Sequence, residues 1–281
     1  MMKKTLDLIR QGLEDGEVIP YLGPGVLELV QNCQVPNSPE MLVERLVAKV
    51  PVPHKIRKNL TAAAQFIENF KHRKTLTTIM EEAFRPTVMP SVLHHYLANF
   101  SKARARLLIV DTWYDAAMQH ALDCKTNWGQ VQGVSQSEHF GTWVHHYRSD
   151  GIQTDDSEAE TWGTVLYKPL GSISPERNFL VSDSDFVEVL TEIDIQTPIP
   201  EVVKTLRTSR NFLFLGCRFR NQLERTFARQ IMKRSSGLHW AVLPDELTRN
   251  EARFMEEQHI LKLDIPLREF IDGLVSEKLV A

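Results

Sequence analysis

The sequence predicts an α/β protein whose core is an open parallel sheet, and three observations carry that reading. The runs 18–22, 107–110 and 212–215 are almost wholly apolar, as strands covered on both faces are. Helical periodicity separates them, so strands and helices alternate along the chain. A glycine turn, Gly23-Pro24-Gly25, directly follows the first run. Together these describe a Rossmann-like sheet of about six strands within one domain over residues 1–281. A helical insertion module occupies 39–100, and an irregular or antiparallel excursion occupies 125–162.

Taken in order, Leu6, Ile9 and Leu13 share one face of a helix over 3–15, and Gly16 ends it. The first strand and the glycine turn follow. Ser38 reads as an N-cap with Pro39 at the first helical position, opening a helix over 40–49 that Pro51 and Pro53 break. From His54 to Phe100 the pattern is helical throughout, with Arg85-Pro86 ending one helix and Pro90 opening the next. Lys102, Arg104 and Arg106 make a short basic turn before the strand at 107–110. Asp111-Thr112-Trp113-Tyr114-Asp115 lies at the carboxyl end of that strand, and a helix follows over 116–122.

Residues 127–147 read as short antiparallel strands, and the acidic stretch 149–161 as an exposed loop. The strand 164–168 ends in Pro169-Leu170-Gly171-Ser172, and Asp183 or Ser184 caps a helix through Ile193. A buried strand at 212–215 ends in Gly216 and leads into a helix over 221–233. A strand at 238–243, a Thr248-capped helix over 249–257, a strand at 260–263 and a helix over 266–278 close the chain.

Composition narrows the function classes. A formal net charge of −3 gives no electrostatic footprint for nucleic acid. No apolar run is long enough to span a bilayer, and the N-terminus has an early acid and no apolar signal core, so a cytoplasmic protein is expected. Cys33, Cys124 and Cys217 are far apart and odd in number, which suits a reducing compartment and leaves no cysteine-based zinc site.

In an open parallel sheet, ligands sit beyond the carboxyl ends of the strands. Three segments fall there: Gly23 to Leu27, Asp111 to Asp115, and Leu170 to Ser172. The first could bring backbone N–H groups to a phosphate, although Glu28 stands where a dinucleotide fingerprint has its third glycine. A tight strand-to-helix turn without a ligand fits the same residues. Pro24 removes one donor from any anion cradle. Asp115 could bond a ribose hydroxyl or simply cap the helix that begins beside it.

In this order and spacing the segments resemble the sirtuin-like superfamily, specifically its bacterial branch without a zinc ribbon. Gly23-Pro24-Gly25-Val26-Leu27 stands for that family's G-A-G-x-S turn. Val35 to Leu42 is similar to its L-P-S-x-x-x-L turn. Asp111-Thr112-Trp113-Tyr114-Asp115 resembles T-T-N-Y-D, Lys168-Pro169-Leu170-Gly171-Ser172 resembles K-x-H-G-S, and Phe214-Leu215-Gly216-Cys217-Arg218 resembles F-x-G-Y-S.

The resemblance implies NAD or an ADP-ribose-type nucleotide as ligand, held by Gly23, Pro24, Gly25, Thr112, Asp115, Gly171, Ser172 and Gly216. It also implies a general-base histidine and a ribose-positioning asparagine. Here Leu170 and Trp113 occupy those positions, and neither can accept a proton or a hydrogen bond. Losing a general base forfeits about 10²–10⁴ in rate. The expectation is therefore a nucleotide-binding pseudoenzyme. An NAD glycohydrolase using Asp111, Asp115 or His94 as substitute groups is one alternative, and deacetylation is the activity least expected. A protein-interaction scaffold with a collapsed pocket is the other. A protein partner or a second copy of the chain stays open in every case.

Two further groups stand out. His139, His145 and His146 lie close together with Glu138 and Asp150 nearby, and imidazole with carboxylate suits zinc, nickel or iron. Adjacent strand residues point to opposite faces, so His145 and His146 cannot share one ion, and no metal is assigned. Trp113, Trp128, Trp143 and Trp162 concentrate in the middle of the chain, where they could stack on a base or fill a core.

Overall fold

A nine-stranded sheet runs through a computed structural model that describes residues 2–102, 106–192 and 199–276. In chain order, α1 (Met2–Glu14) leads into β1 (Val18–Leu22). After a 3₁₀ turn at Pro24–Leu29 come the helices α2 (Pro39–Lys49), α3 (Leu60–Lys71), α4 (Arg73–Phe84) and α5 (Val92–Ala98). Next are β2 (Leu107–Asp111), α6 (Ala117–Leu122), β3 (Trp128–Gly133), β4 (Val144–Arg148), β5 (Gln153–Thr154) and α7 (Asp156–Ala159). β6 (Thr164–Lys168) precedes a small hairpin of β7 (Gly171–Ser172) and β8 (Asn178–Phe179). The rest is α8 (Asp183–Glu192), α9 (Glu201–Arg207), β9 (Asn211–Leu215), α10 (Gln222–Ile231), β10 (His239–Val242), α11 (Arg249–Glu257), β11 (Ile260–Leu263) and α12 (Leu267–Val275).

In the sheet order β11-β10-β9-β1-β2-β6-β3-β4-β5, the strands from β11 to β3 are parallel, β4 runs antiparallel to β3, and β5 pairs antiparallel with β4. Alternation along each strand explains why the apolar runs are continuous. Ile19, Tyr21, Leu108, Val110, Phe212 and Phe214 belong to the core on one face. Val18, Leu22, Leu107, Ile109, Leu213 and Leu215 belong to the core on the other.

The helical module α2–α5 begins as its sequence signals require. The Ser38 hydroxyl accepts the Met41 N–H at 3.2 Å with Pro39 at the first position, and Asn59 accepts the Ala62 N–H at 3.1 Å. This module builds a third apolar cluster. Leu42, Leu46, Ala64, Ile67, Met80 and Phe84 meet Leu27, Trp113, Tyr114 and Phe179, which all follow strands at their carboxyl ends or lie in the small hairpin. The module therefore sits over the edge of the sheet where a ligand of such a fold would enter.

The sheet is larger than the six strands expected. β3 and β4 pair antiparallel, as expected for 127–147, and β3 also pairs parallel with β6, so that both join the main sheet. The β3 residues, Trp128-Gly129-Gln130-Val131-Gln132-Gly133, hide a buried strand behind two glutamines and two glycines. The amide N–H groups find partners elsewhere, Gln130 donating to the Ser174 carbonyl (2.8 Å) and Gln132 to that of Glu176 (2.7 Å). A Cβ at Gly133 would stand 2.1 Å from the Pro169 carbonyl oxygen, so that close approach of the neighbouring chain needs glycine.

The acidic stretch 149–161 is also ordered. It holds β5 and α7, whose N-cap Asp155 accepts the Glu158 N–H at 3.1 Å. Arg104, Ile193 and residues 277–278 of the expected turn and helices lie outside the described residues. Among the described residues, no helix is long and apolar enough to cross a membrane.

Candidate functional site

The strand order reverses beside β1, with β9, β10 and β11 on one side and β2, β6 and β3 on the other. Such a reversal normally leaves a crevice where the loops from the two central strands part. Here those loops meet. The Gly25 N–H donates to the Gly216 carbonyl (3.0 Å), and the Gly23 N–H donates to that of Leu215 (2.9 Å). The Val26 N–H turns back to the Gly23 carbonyl (3.2 Å), and Pro24 has none to offer.

The glycines are required by this packing. Gly216 has φ +63°, and a Cβ there would lie 2.3 Å from the Val26 nitrogen. A Cβ on Gly23 would lie 2.5 Å from the Gly216 oxygen. The Gly23 and Gly25 donors that an anion cradle would use are thus already bonded to the β9 loop, and that of Val26 to its own turn.

The second segment is equally occupied. Asp111 ends β2, and its Oδ2 accepts the Lys168 ammonium from the end of β6 at 2.8 Å. Its Oδ1 accepts the Trp113 N–H at 3.1 Å. Lys168 also donates to the Asp115 carbonyl oxygen (2.8 Å), while the Asp115 carboxylate accepts the Ala117 N–H (2.9 Å) at the start of α6. Thr112 directs both its N–H and its hydroxyl to the Leu22 carbonyl at 2.9 Å.

Asp111, Asp115, Lys168 and His94 are each exposed by 3% or less. Burial pushes the Asp111 carboxyl up to about 6, against the pull of the Lys168 charge. Burial likewise pushes His94 down to about 4. Its Nδ1 accepts the Ser91 N–H at 3.1 Å and lies 2.8 Å from the Ser91 hydroxyl, so the ring caps α5.

Trp113 stands where the resemblance puts the ribose-positioning asparagine. It is 4% exposed, and its indole N–H donates to the Pro36 carbonyl at 2.7 Å. Phe84 packs edge-on to it with ring centres 5.7 Å apart, and Tyr114 lies at 5.1 Å. Leu27 shares its apolar cluster, and Leu170 packs against the same cluster. Of the other tryptophans considered, Trp128 and Trp162 are buried in the two cores on the faces of the sheet.

The third segment forms the small hairpin. Gly171 has φ +83°, and a Cβ there would meet the Asn178 carbonyl oxygen at 2.1 Å. The Ser172 hydroxyl is fully buried, donates to the Tyr114 carbonyl at 3.5 Å and accepts the Ser174 N–H at 3.4 Å.

The structure therefore brings the three predicted segments to one edge of the sheet, and it spends their polar groups on one another. Arg218, unassigned from sequence, ties the same edge further. It follows β9 and crosses to the β10–α11 connection, donating to Asp245 (2.7 Å) and to both oxygens of Glu251 (2.9 and 3.0 Å). Glu251 also accepts the Phe219 and Thr248 N–H groups, and its carboxyl is held down to about 2 despite burial. The Thr248 cap was read from the sequence, but the part of Glu251 in it and the reach of Arg218 were not.

The implied nucleotide does not fit this edge as it stands. The Gly23, Gly25 and Val26 N–H groups are bonded, an indole stands where the resemblance puts the ribose-positioning asparagine, and the candidate ribose partner Asp115 caps a helix.

Comparison with known proteins agrees with the architecture. No curated protein matches the chain. The SIR2-like domain family matches residues 107–262, from the start of β2 into β11 and short of the glycine turn. That span covers more than half of the 281 residues, and on that match the chain belongs to the SIR2-like domain family.

Proposed function

We propose that this protein is a catalytically silent SIR2-like domain that serves as a folded interaction scaffold. The observation that carries this reading is Trp113, which is bonded to Pro36 and packed on Phe84 where an NAD-cleaving site needs a polar group beside the ribose. Cleaving the N-glycosidic bond builds positive charge on the ribose, and an indole and a leucine offer it no acceptor. The substitute groups Asp111, Asp115 and His94 are buried and engaged, which argues against a glycohydrolase. Binding of NAD or ADP-ribose without turnover is the less supported form of the same idea. It would require Gly23 and Gly25 to release the Leu215 and Gly216 carbonyls.

The test uses the full chain. Calorimetry and thermal melting with millimolar NAD and, separately, ADP-ribose should show no heat and no shift, and chromatography should detect no nicotinamide. A saturable heat would move the assignment to a nucleotide binder. Nicotinamide release abolished by Asp111→Ala or Asp115→Ala would overturn the silent reading altogether.

A further inference from the structure

The geometry points to a divalent transition-metal site, with zinc as its best occupant, formed by His139 Nε2, His145 Nδ1 and the Glu176 carboxylate. These three atoms lie within 4.8 Å of one another. His145 Nδ1 stands 2.6 Å from Glu176 Oε2, and His139 Nε2 stands 3.6 Å from Glu176 Oε1. The two imidazoles are nearly perpendicular with ring centres 5.0 Å apart. Tetrahedral zinc with bonds of about 2.0–2.1 Å places its ligand atoms about 3.3 Å apart, so closure asks each group to move by about an ångström or less. Two imidazoles and one carboxylate leave a fourth position for water, a donor set that zinc takes readily.

The site is built from three separate segments, each held by bonds of its own. β4 brings His145 opposite Gln132 of β3, while His146, one residue on, lies opposite Val131 and faces the other way. Gln132 donates to the Glu176 carbonyl and Gln130 to the Ser174 carbonyl, which fixes the segment carrying the glutamate against the sheet. His139 sits in the β3–β4 connection, where its N–H donates to the Ser135 carbonyl (2.9 Å). Ser135 is itself anchored, its N–H on the Asn178 side chain (2.8 Å) and its hydroxyl on Asp185 (2.7 Å).

Tyr147, on the same face of β4, donates its hydroxyl to Glu176 and lies 3.2 Å from His145 Nδ1. It has the place of an outer partner that orients the carboxylate. The ligands remain reachable, with side-chain exposures of 27% for His139, 14% for His145 and 33% for Glu176. A bound ion would lock the β3–β4 connection to the β7–β8 hairpin. Alternation along the strand had separated His145 from His146, and the third ligand lies 31 positions beyond His145, where no local pattern points to it.

The experiment is calorimetric titration of Zn²⁺ into untagged full-length protein stripped by chelator, with Co²⁺ absorption as a second readout. One equivalent should bind, and the Co²⁺ spectrum should show the intense visible bands of a four-coordinate ion. His139→Ala and Glu176→Gln should each weaken binding by more than the about 100-fold expected from loss of an outer partner, and Tyr147→Phe by about 10–100-fold. His54→Ala, at an exposed turn away from the cluster, should bind as wild type does. Melting curves of the stripped variants check that they are folded. Absence of stoichiometric Zn²⁺ binding by the wild type would overturn the site and leave a histidine–glutamate ion pair. Equal binding by folded His139→Ala and Glu176→Gln would overturn it as well.

Discussion

Lys168→Met tests whether Asp111 is a buried counter-ion or a group free for chemistry. The ammonium is 1% exposed and makes two 2.8 Å hydrogen bonds, to the Asp111 carboxylate and the Asp115 carbonyl. Methionine keeps the stem's volume and removes the charge. Asp111 is then left with the Trp113 N–H as its remaining bonded donor. Removing one partner of a buried pair costs about 3–5 kcal/mol. The cost should also depend on pH with a definite sign. The Asp111 carboxyl is already raised by burial, and losing Lys168 raises it further. A carboxyl raised in the folded state contributes stability that is full below its unfolded value and is lost as pH rises through its folded value. The deficit of Lys168→Met should therefore be greater at pH 8 than at pH 5, by about 1.4 kcal/mol for each unit of further rise within that window. Urea unfolding at the two pH values measures it. Adding Asp111→Asn should recover part of the loss, with a coupling of about 0.5–3 kcal/mol. A deficit below about 1 kcal/mol, or one greater at pH 5, would refute the structural role of the pair.

Gly216→Ala should cost at least about 2 kcal/mol by urea unfolding, because it combines a left-handed backbone with a Cβ 2.3 Å from the Val26 nitrogen. That loss should be the same with and without NAD. His94 and His239 are both held down to about 4 by burial, and both accept a backbone N–H at Nδ1. The unfolded chain takes up protons first as pH falls below about 6.5, so stability should fall from there towards pH 4, and His94→Gln should flatten that slope. Glu251→Gln should cost about 1.5–3 kcal/mol, since it weakens a buried, charge-assisted contact to Arg218. Trp113→Asn combined with Leu170→His should destabilise the protein by about 3–5 kcal/mol and yield no nicotinamide from NAD, because the glycine loops stay closed. Chromatography showing turnover by that variant would contradict the closed-edge argument.

The sheet was legible wherever strands are covered on both faces by hydrocarbon alone. β1, β2 and β9 declare themselves because Val18–Leu22, Leu107–Asp111 and Asn211–Leu215 are nearly all apolar. β3 was legible as a short strand but its place beside β6 was not, because its amide N–H groups bond to carbonyls 44 positions away in sequence and no local pattern carries that information. The helical module was legible from its caps and prolines, yet its position over the strand ends follows from contacts such as Trp113 with Phe84. At the site, residue identity located the segments at the correct edge. It did not reveal that Asp111 would face Lys168, since that pairing depends on the register of β2 against β6, and it left Asp115 open between a ribose contact and the α6 cap that it makes.

The glycine turn shows why a partial motif is weak evidence for a ligand. A phosphate loop needs glycine so that backbone can approach an anion closely. Two loops packed backbone to backbone need glycine for the same steric reason, and here the second loop is present. The Gly216 oxygen accepts the Gly25 N–H and would meet a Cβ on Gly23 at 2.5 Å. Glycine at these positions therefore follows from the junction of β1 and β9 alone, whether or not anything binds. The residues that distinguish the two cases are those with no role in that junction. A binding turn gains from a small polar residue at position 27 and a donor at position 24, whereas this chain has Leu27 in the apolar cluster of the helical module and Pro24 without an N–H. Substituting Leu27→Ser should separate the alternatives. It would remove a side chain that is 1% exposed and cost about 2–5 kcal/mol if the turn serves only packing, as large-to-small changes in a core do. A stable Leu27→Ser variant that shifts its melting temperature with ADP-ribose would show instead that the loop opens onto a ligand.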